Sequence, residues 1–140
     1  MKYLGIDLGK KRIGIALSDD SGIIAEPYIQ IERRSTNSAV DEIFEIVKEK
    51  EVNRIVIGLP LLEDGNEGSM AKDVLKFKEV LETRCGLHVT TWDERFSTKA
   101  VTRVLIDADV SRKKRKNSVD KLSASFILQG YLDYIKNDQA

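Results

Sequence analysis

The sequence predicts an α/β domain with a five-stranded mixed sheet flanked by helices. Three apolar, β-branched runs come first, at residues 2–8, 12–18 and 22–31, and short turns carrying glycine or aspartate separate them. Two further strand-like runs then alternate with segments of helical periodicity. The first pattern predicts an antiparallel meander. The second predicts parallel strands, because strands joined through a helix by a right-handed crossover run in the same direction.

The first two helices are predicted from apolar spacing and capping residues. Ser38, with Asp41 three residues later, resembles a capping box, and the helix that follows is expected to end near Lys50. A second helix is expected to stop at Gly86, which acts as its C-terminal glycine. Its apolar face is formed by Met70, Val74, Phe77 and Leu81.

The later elements complete the order βββαβαβαα. Short buried strands are predicted at 54–58 and 87–92. Ser97 is the expected N-cap of a third helix, and a basic loop then leads into a last helix from Ser118 to about Ile135. The first, fourth and fifth strands should therefore point the same way.

Composition and charge limit the class of protein. The chain is 41% hydrophobic and 33% charged, with 23 Lys or Arg and 23 Asp or Glu side chains, so we expect one globular domain at 1–140 with no net attraction for nucleic acid. No apolar run approaches the roughly 20 residues of a membrane span, and no secretion signal is visible, which favours a cytoplasmic location without membrane contact. Basic residues are nevertheless clustered in two patches that favour phosphates, Lys10, Lys11 and Arg12 and the run Arg112, Lys113, Lys114, Arg115 and Lys116.

Three acids are expected at one edge of the sheet. Asp7 interrupts a buried strand, where an unpaired carboxylate is costly. Glu94 follows the fifth strand, and Asp120 lies in the first turn of the predicted last helix. Ligands bind beyond the carboxyl ends of parallel strands, so the three carboxylates could converge there. Their repulsion favours hard divalent cations such as Mg²⁺ or Mn²⁺, and two such ions beside basic patches predict metal-assisted phosphodiester hydrolysis.

Four ordered blocks carry a resemblance to a known family: GIDLGKKRIGIALSD, VIGLPLLEDGNEG, WDERFST and VDKLSASFILQGYLD. They are similar to the YqgF family, also called RuvX-like Holliday junction resolvases, in the RNase H superfamily. The resemblance implies an RNase H-like fold with Asp7, Glu94 and Asp120 as catalytic metal ligands. It also implies processing of the 5′ end of precursor 16S rRNA, with resolution of DNA junctions as the alternative. Many RNase H enzymes use a fourth acid, for which Asp93 is the nearest candidate.

Other interpretations of these residues stay open. Asp7 could be satisfied by backbone amides of the Gly9 turn, and Asp93 and Glu94 could be solvated loop acids. Asp120 could only stabilise a helix N-terminus. The segment GLPLLEDGNEG, with Gly58, Gly65 and Gly68, could be a simple turn or a loop that positions substrate.

Two other function classes compete with a nuclease. The hairpin GIDLGKKRIGIA also resembles the phosphate loop of actin-like and sugar-kinase ATPases, but 140 residues hold no second hairpin of that kind. A non-catalytic binding module would bind RNA or DNA without cleaving it. The expected partner is structured RNA or branched DNA. The chain is expected to be a monomer or a weak homodimer, since two active sites would suit a two-fold junction.

Overall fold

The computed structural model describes residues 1–61, 68–94 and 112–138, with side chains in the last segment described from 122 to 136. These residues form a five-stranded sheet with the order β3-β2-β1-β4-β5. The strands are β1 (Tyr3–Leu8), β2 (Arg12–Ser18), β3 (Ala25–Glu32), β4 (Arg54–Leu59) and β5 (Val89–Asp93), and the helices are α1 (Thr36–Glu49), α2 (Ser69–Cys85) and α3 (Arg112–Asp138).

The strand directions confirm the predicted mixed sheet. β2 pairs antiparallel with both β1 and β3, whereas β4 pairs parallel with both β1 and β5. The carboxyl ends of β1, β4 and β5 therefore lie along one edge of the sheet. In the part of the chain that the structure describes, no helix is both long enough and apolar enough to cross a membrane.

Helices cover both faces of the sheet. Successive side chains of β1 point alternately to one face and to the other. One core contains side chains of α1 and α2 together with the even-numbered residues of β1, which are Leu4, Ile6 and Leu8. Tyr3 belongs to a second core, which contains side chains of α3. Because successive side chains of a strand point to opposite faces, Gly5 and Asp7 share the α3 face with Tyr3.

Helix α3 approaches β1 closely and runs in the opposite direction. A Cβ atom at Gly5 would lie 2.7 Å from Cβ of Leu128 and 3.1 Å from the carbonyl oxygen of Ala124. The ring of Tyr3 lies 6.1 Å from that of Tyr131, measured between centroids. As β1 advances from Tyr3 to Gly5, its contacts move toward the N-terminus of α3. The carboxyl end of β1 therefore faces the N-terminal half of this helix.

The N-terminus of α1 differs from the prediction. The N-cap is Ser35, whose hydroxyl accepts a hydrogen bond from the Ser38 N–H, and the Ser38 hydroxyl accepts one from the Ser35 N–H. The prediction of Ser38 as the N-cap was wrong, because this serine takes the reciprocal position three residues later. The predicted helix ends are confirmed, with Lys50 as the C-cap of α1 and Gly86, at a φ of 69°, as that of α2.

The N-terminus of α3 was also predicted wrongly. The basic run from Arg112 to Lys116 forms the first turns of α3 instead of a loop, and the predicted start at Ser118 lies inside the helix. Arginine and lysine have high helix propensity, and this outweighs their unfavourable position at the positive end of the helix dipole. The predicted helix after Ser97 and the glycine at Gly65 lie outside the described residues.

Strand β3 starts three residues later than predicted, at Ala25. The carboxylate of Asp19 accepts hydrogen bonds from the backbone N–H groups of Ile23 and Ile24, at 2.8 and 3.0 Å. These amides are therefore used by a turn and cannot enter the β2–β3 ladder.

Candidate active site

Two of the three predicted acids meet at the carboxyl edge of the sheet. The parallel register of β1 and β4, continued by one residue, brings Asp7 beside Gly58. Glu94 directly follows β5, and its backbone N–H donates to the carbonyl oxygen of Leu59 at 3.1 Å. The side chain of Glu94 forms a hydrogen bond with that of Asp7. The two carboxyl groups, 87 positions apart in the sequence, are thus direct neighbours.

Gly58 provides the space in which these acids meet. A Cβ atom there would lie 2.5 Å from Oε1 of Glu94, 2.7 Å from its Cγ and 2.7 Å from Cδ1 of Ile127. The Glu94 side chain therefore lies over the Cα of Gly58 on the face covered by α3. Of the two predicted roles, that of a turn glycine was wrong for Gly58, which is inside β4. A glycine within an apolar strand was the sequence signal for this close approach.

A proton links the two acids. Burial raises the pKa of Glu94 to about 8, and the negative charge and hydrogen bond of Asp7 and the charge of Asp93 act in the same direction. Two carboxyl groups can hydrogen-bond only if one of them carries a proton, since an ionised carboxylate has no donor. A proton thus relieves the repulsion in the absence of a cation, as expected for paired acids.

The predicted third acid, Asp120, lies in α3, but its side chain is outside the described part of the chain. It is not in the first turn of that helix, so the interpretation of Asp120 as a residue that only stabilises a helix N-terminus was wrong. Among the described residues, no three His, Cys, Asp or Glu side chains form a group that could hold a metal ion. The described part of the site is the carboxyl pair.

The first basic patch follows Asp7 closely in the sequence. Lys10, Lys11 and Arg12 are exposed, and the turn that carries them is closed by a hydrogen bond from the Gly9 N–H to the Arg12 carbonyl oxygen at 2.9 Å. The Gly9 amide is therefore engaged within the turn, which does not favour the interpretation that this amide satisfies Asp7. The side chains of the second patch, from Arg112 to Lys116, lie outside the described residues.

Comparison with known protein families gives a match over nearly the whole chain. The family described as "RuvX: Holliday junction resolvase" matches residues 1–134. A relative from Shouchella clausii is 47% identical over 135 residues, covering 95% of each chain. One from Clostridioides difficile is 45% identical over 133 residues, covering 95% of this chain and 94% of the relative. Both relatives carry the name "Putative pre-16S rRNA nuclease".

Solved structures share the fold at low sequence identity. Thermus thermophilus RuvC in complex with a Holliday junction substrate has a TM-score of 0.67 at 12% identity, covering all of this chain and 98% of RuvC. The fowlpox virus resolvase in complex with Holliday junction DNA has a TM-score of 0.57 at 12% identity, covering 96% of this chain and 99% of the resolvase. These likenesses confirm the predicted RNase H-like fold.

Proposed function

The chain belongs to the RuvX family of Holliday junction resolvases, and from this premise we propose that it is a divalent-metal-dependent nuclease that hydrolyses phosphodiester bonds at the Asp7–Glu94 pair. The observation that carries the proposal is the hydrogen bond between these two carboxyl groups over Gly58. Acids held so close, with the pKa of one strongly raised, are typical of functional sites. A bound cation would turn an unfavourable pair into a favourable one.

The donor set fits Mg²⁺ or Mn²⁺. Asp7 and Glu94 offer only carboxylate oxygens, the ligands that hard cations prefer. A cation would displace the proton that the pair holds, because metal ligands must be deprotonated. Asp7 and Glu94 would hold the ion, and the bound ion would supply Lewis-acid stabilisation of the phosphate oxygens. A second ion would need more oxygen ligands, for which Asp93 and Asp120 are the candidates.

The packing of α3 supports Asp120 as a further ligand. Ala124 contacts the sheet at Gly5, and position 120 is four residues earlier on the same helical face. Four helical residues advance about 6 Å and the two strand residues from Gly5 to Asp7 advance about 6.6 Å. Since α3 and β1 run in opposite directions, position 120 is level with Asp7. A third carboxylate there would complete a set drawn from three distant parts of the sequence.

Lys10, Lys11, Arg12 and the basic first turns of α3 would bind the phosphate backbone. Such contacts are electrostatic and do not depend on base sequence. They would orient the nucleic-acid backbone without distinguishing one base sequence from another. The basic turn comes directly after the strand that carries Asp7. A backbone bound at this turn would therefore pass close to the carboxyl pair.

The names of the relatives favour precursor 16S rRNA as the substrate, and we propose that the chain processes its 5′ end in the cytoplasm. The family description favours a second candidate, the four-way DNA junction. Both substrates bring several phosphate groups close together. A monomer would suffice for RNA processing, whereas a weak homodimer would suit a two-fold junction.

The test is cleavage of a panel of substrates with Mg²⁺ or Mn²⁺. The panel contains precursor 16S rRNA fragments, four-way DNA junctions and linear duplexes. We expect metal-dependent cleavage by the wild-type protein, and loss of cleavage with retained substrate binding for Asp7→Asn and Glu94→Gln. Asp20→Asn is a matched control, since it also removes one negative charge but from a side chain that is 97% exposed. It should cleave like the wild type.

Three outcomes would contradict the proposal. Binding without cleavage under every metal condition would favour the non-catalytic module. Equal turnover by Asp7→Asn and the wild type would mean that the carboxyl pair is not the catalytic site. Tight ATP binding, detected as a thermal shift, would instead revive the ATPase alternative.

A further inference from the structure

We infer that Arg33 is a positioning residue that fixes the basic turn at residues 9–12 for nucleic-acid binding, and that Asp73 of α2 holds Arg33 in place. The inference rests on the proposed function, because phosphate binding is the task proposed for that turn. Arg33 follows β3 directly, and Asp73 lies in the second turn of α2. Neither residue belongs to the carboxyl pair.

Arg33 contacts the turn through both its backbone and its side chain. Its backbone N–H donates to the carbonyl oxygen of Lys11 at 2.8 Å. Its Nη1 donates to the carbonyl oxygen of Gly9 at 3.1 Å. One residue therefore holds two carbonyl groups of a four-residue turn.

Asp73 fixes the guanidinium group from the other side. Nη1 and Nη2 of Arg33 donate to the two carboxylate oxygens of Asp73 at 2.7 and 2.8 Å, which is the planar, two-bond geometry of a strong ion pair. The side chains are only 12% and 34% exposed. The guanidinium carbon also lies 5.6 Å from the ring centroid of Phe77, one turn further along α2. These contacts join the turn to the core of the domain.

The positive charges of the turn explain why it needs the contacts made by Arg33 and Asp73. Lys10, Lys11 and Arg12 repel one another, and Arg33 adds a fourth positive charge beside them. Asp73 compensates that charge, and its hydrogen bonds to Arg33 lower the pKa of Asp73. The turn is also tight, since a Cβ atom at Gly9 would lie 2.5 Å from the Arg12 carbonyl oxygen. We therefore expect the position of the three cations to depend on Arg33 and Asp73.

The competing explanation is that the Arg33–Asp73 ion pair only stabilises the fold, by joining the end of β3 to α2. The charge change in Asp73→Asn distinguishes the two explanations. This substitution removes a negative charge near the basic turn. If only the net charge mattered, nucleic acid would bind more tightly. If Asp73 positions the turn through Arg33, binding should instead become weaker, because the cations no longer match the phosphate spacing.

The experiment measures the affinity of the full chain for a fluorescent four-way DNA junction and an RNA hairpin, in EDTA and over a range of salt concentrations. We expect Asp73→Asn to raise Kd about fivefold or more. The salt dependence should flatten by up to about 0.9 in log–log slope for each duplex phosphate that the variant no longer binds. Arg33→Lys keeps the charge but not the two-bond geometry, and should also weaken binding. Amide hydrogen exchange at Gly9 and Arg33, whose N–H groups donate to the carbonyl oxygens of Arg12 and Lys11, should be faster in both variants without nucleic acid.

Lys78→Met is the matched control. It breaks the Lys78–Glu82 ion pair on the same helix, whose side chains are 26% and 29% exposed, without touching the turn. It should leave exchange in the turn and the salt dependence unchanged. Unchanged or tighter binding by Asp73→Asn, with unchanged exchange in the turn, would overturn the inference while the proposed function stands. If the wild-type protein binds neither nucleic acid, the inference and the proposed function both fail.

Discussion

Replacing Glu94 by Gln should remove the pH dependence that the carboxyl pair gives to the stability of the metal-free protein. The pKa of Glu94 is raised from 4.5 to about 8. Between these two values the folded state holds a proton that the unfolded state has lost, so the free energy of unfolding falls as pH rises. The contribution is full below about pH 4.5 and lost above about pH 8. Glutamine keeps the size of the side chain and a donor for Asp7, but it does not titrate.

The expected magnitude follows from the size of the pKa shift. The difference between 8 and 4.5 is 3.5 pH units, and each unit corresponds to about 1.4 kcal/mol, which gives an upper value of about 5 kcal/mol. Water penetration and movement of the two side chains reduce such shifts. We therefore expect the wild-type protein to lose about 2 to 4 kcal/mol relative to Glu94→Gln between pH 5 and pH 9.

Urea denaturation in EDTA, repeated at one-unit pH steps for both proteins, measures this difference. Taking the difference between the two proteins cancels the titration of groups that they share. Asp20→Asn is the control and should run parallel to the wild type, because its carboxylate is exposed. Parallel stability curves for wild type and Glu94→Gln would refute the reasoning, since Glu94 would then titrate alike in the folded and unfolded states.

Three further predictions concern Gly58, the second basic patch and the Asp19 turn. Gly58→Ala should displace Glu94 and lower cleavage by about 100-fold or more, because small misplacements of catalytic groups have effects of that size. Gly86→Ala, where a Cβ meets nothing within 4 Å, should cost about 1 kcal/mol from its left-handed backbone and leave cleavage unchanged. Replacing Lys113, Lys114 and Arg115 together by Ala should preserve α3, measured by circular dichroism, and flatten the salt dependence of binding by up to about 0.9 for each phosphate no longer bound; an unchanged slope would mean that this patch is only solvated. Hydrogen bonds from Ser21 and from the Ile24 and Ile23 amides lower the pKa of Asp19 to about 2. The stabilising effect of the Asp19 carboxylate should therefore be lost as pH falls from about 4 to about 2. Asp19→Ala should remove that part of the acid dependence seen in thermal unfolding.

The sheet and the carboxyl pair could be predicted because their signals are local. Asp7 breaks an apolar strand that is otherwise continuous, and the strand directions follow from turns and crossovers of ordinary length. The meeting of Asp7 with Glu94 follows once the strands that carry or precede them are known to be parallel.

Other features depend on contacts that no local pattern contains. The role of Gly58 requires knowledge of which side chain lies across it, and Arg33 is tied to Asp73, 40 positions away. The predicted start of α3 was wrong because a run of cations is also typical of a loop, although lysine and arginine form helices readily. The N-cap of α1 was predicted at Ser38 instead of Ser35 because the two serines offer the same hydroxyl, three residues apart.

The central claim is that Asp7 and Glu94 together hold a divalent cation in place of a proton. Isothermal titration calorimetry with Mn²⁺ at pH 7, in buffers of different ionisation enthalpy, counts the protons released on binding. With the pKa of Glu94 at about 8, the pair should release close to one proton per first ion bound. Asp7→Asn should weaken Mn²⁺ binding strongly, and Glu94→Gln, whose amide has no acidic proton to lose, should abolish that release. Mn²⁺ binding without proton release, or with equal affinity in Asp7→Asn, would contradict the claim.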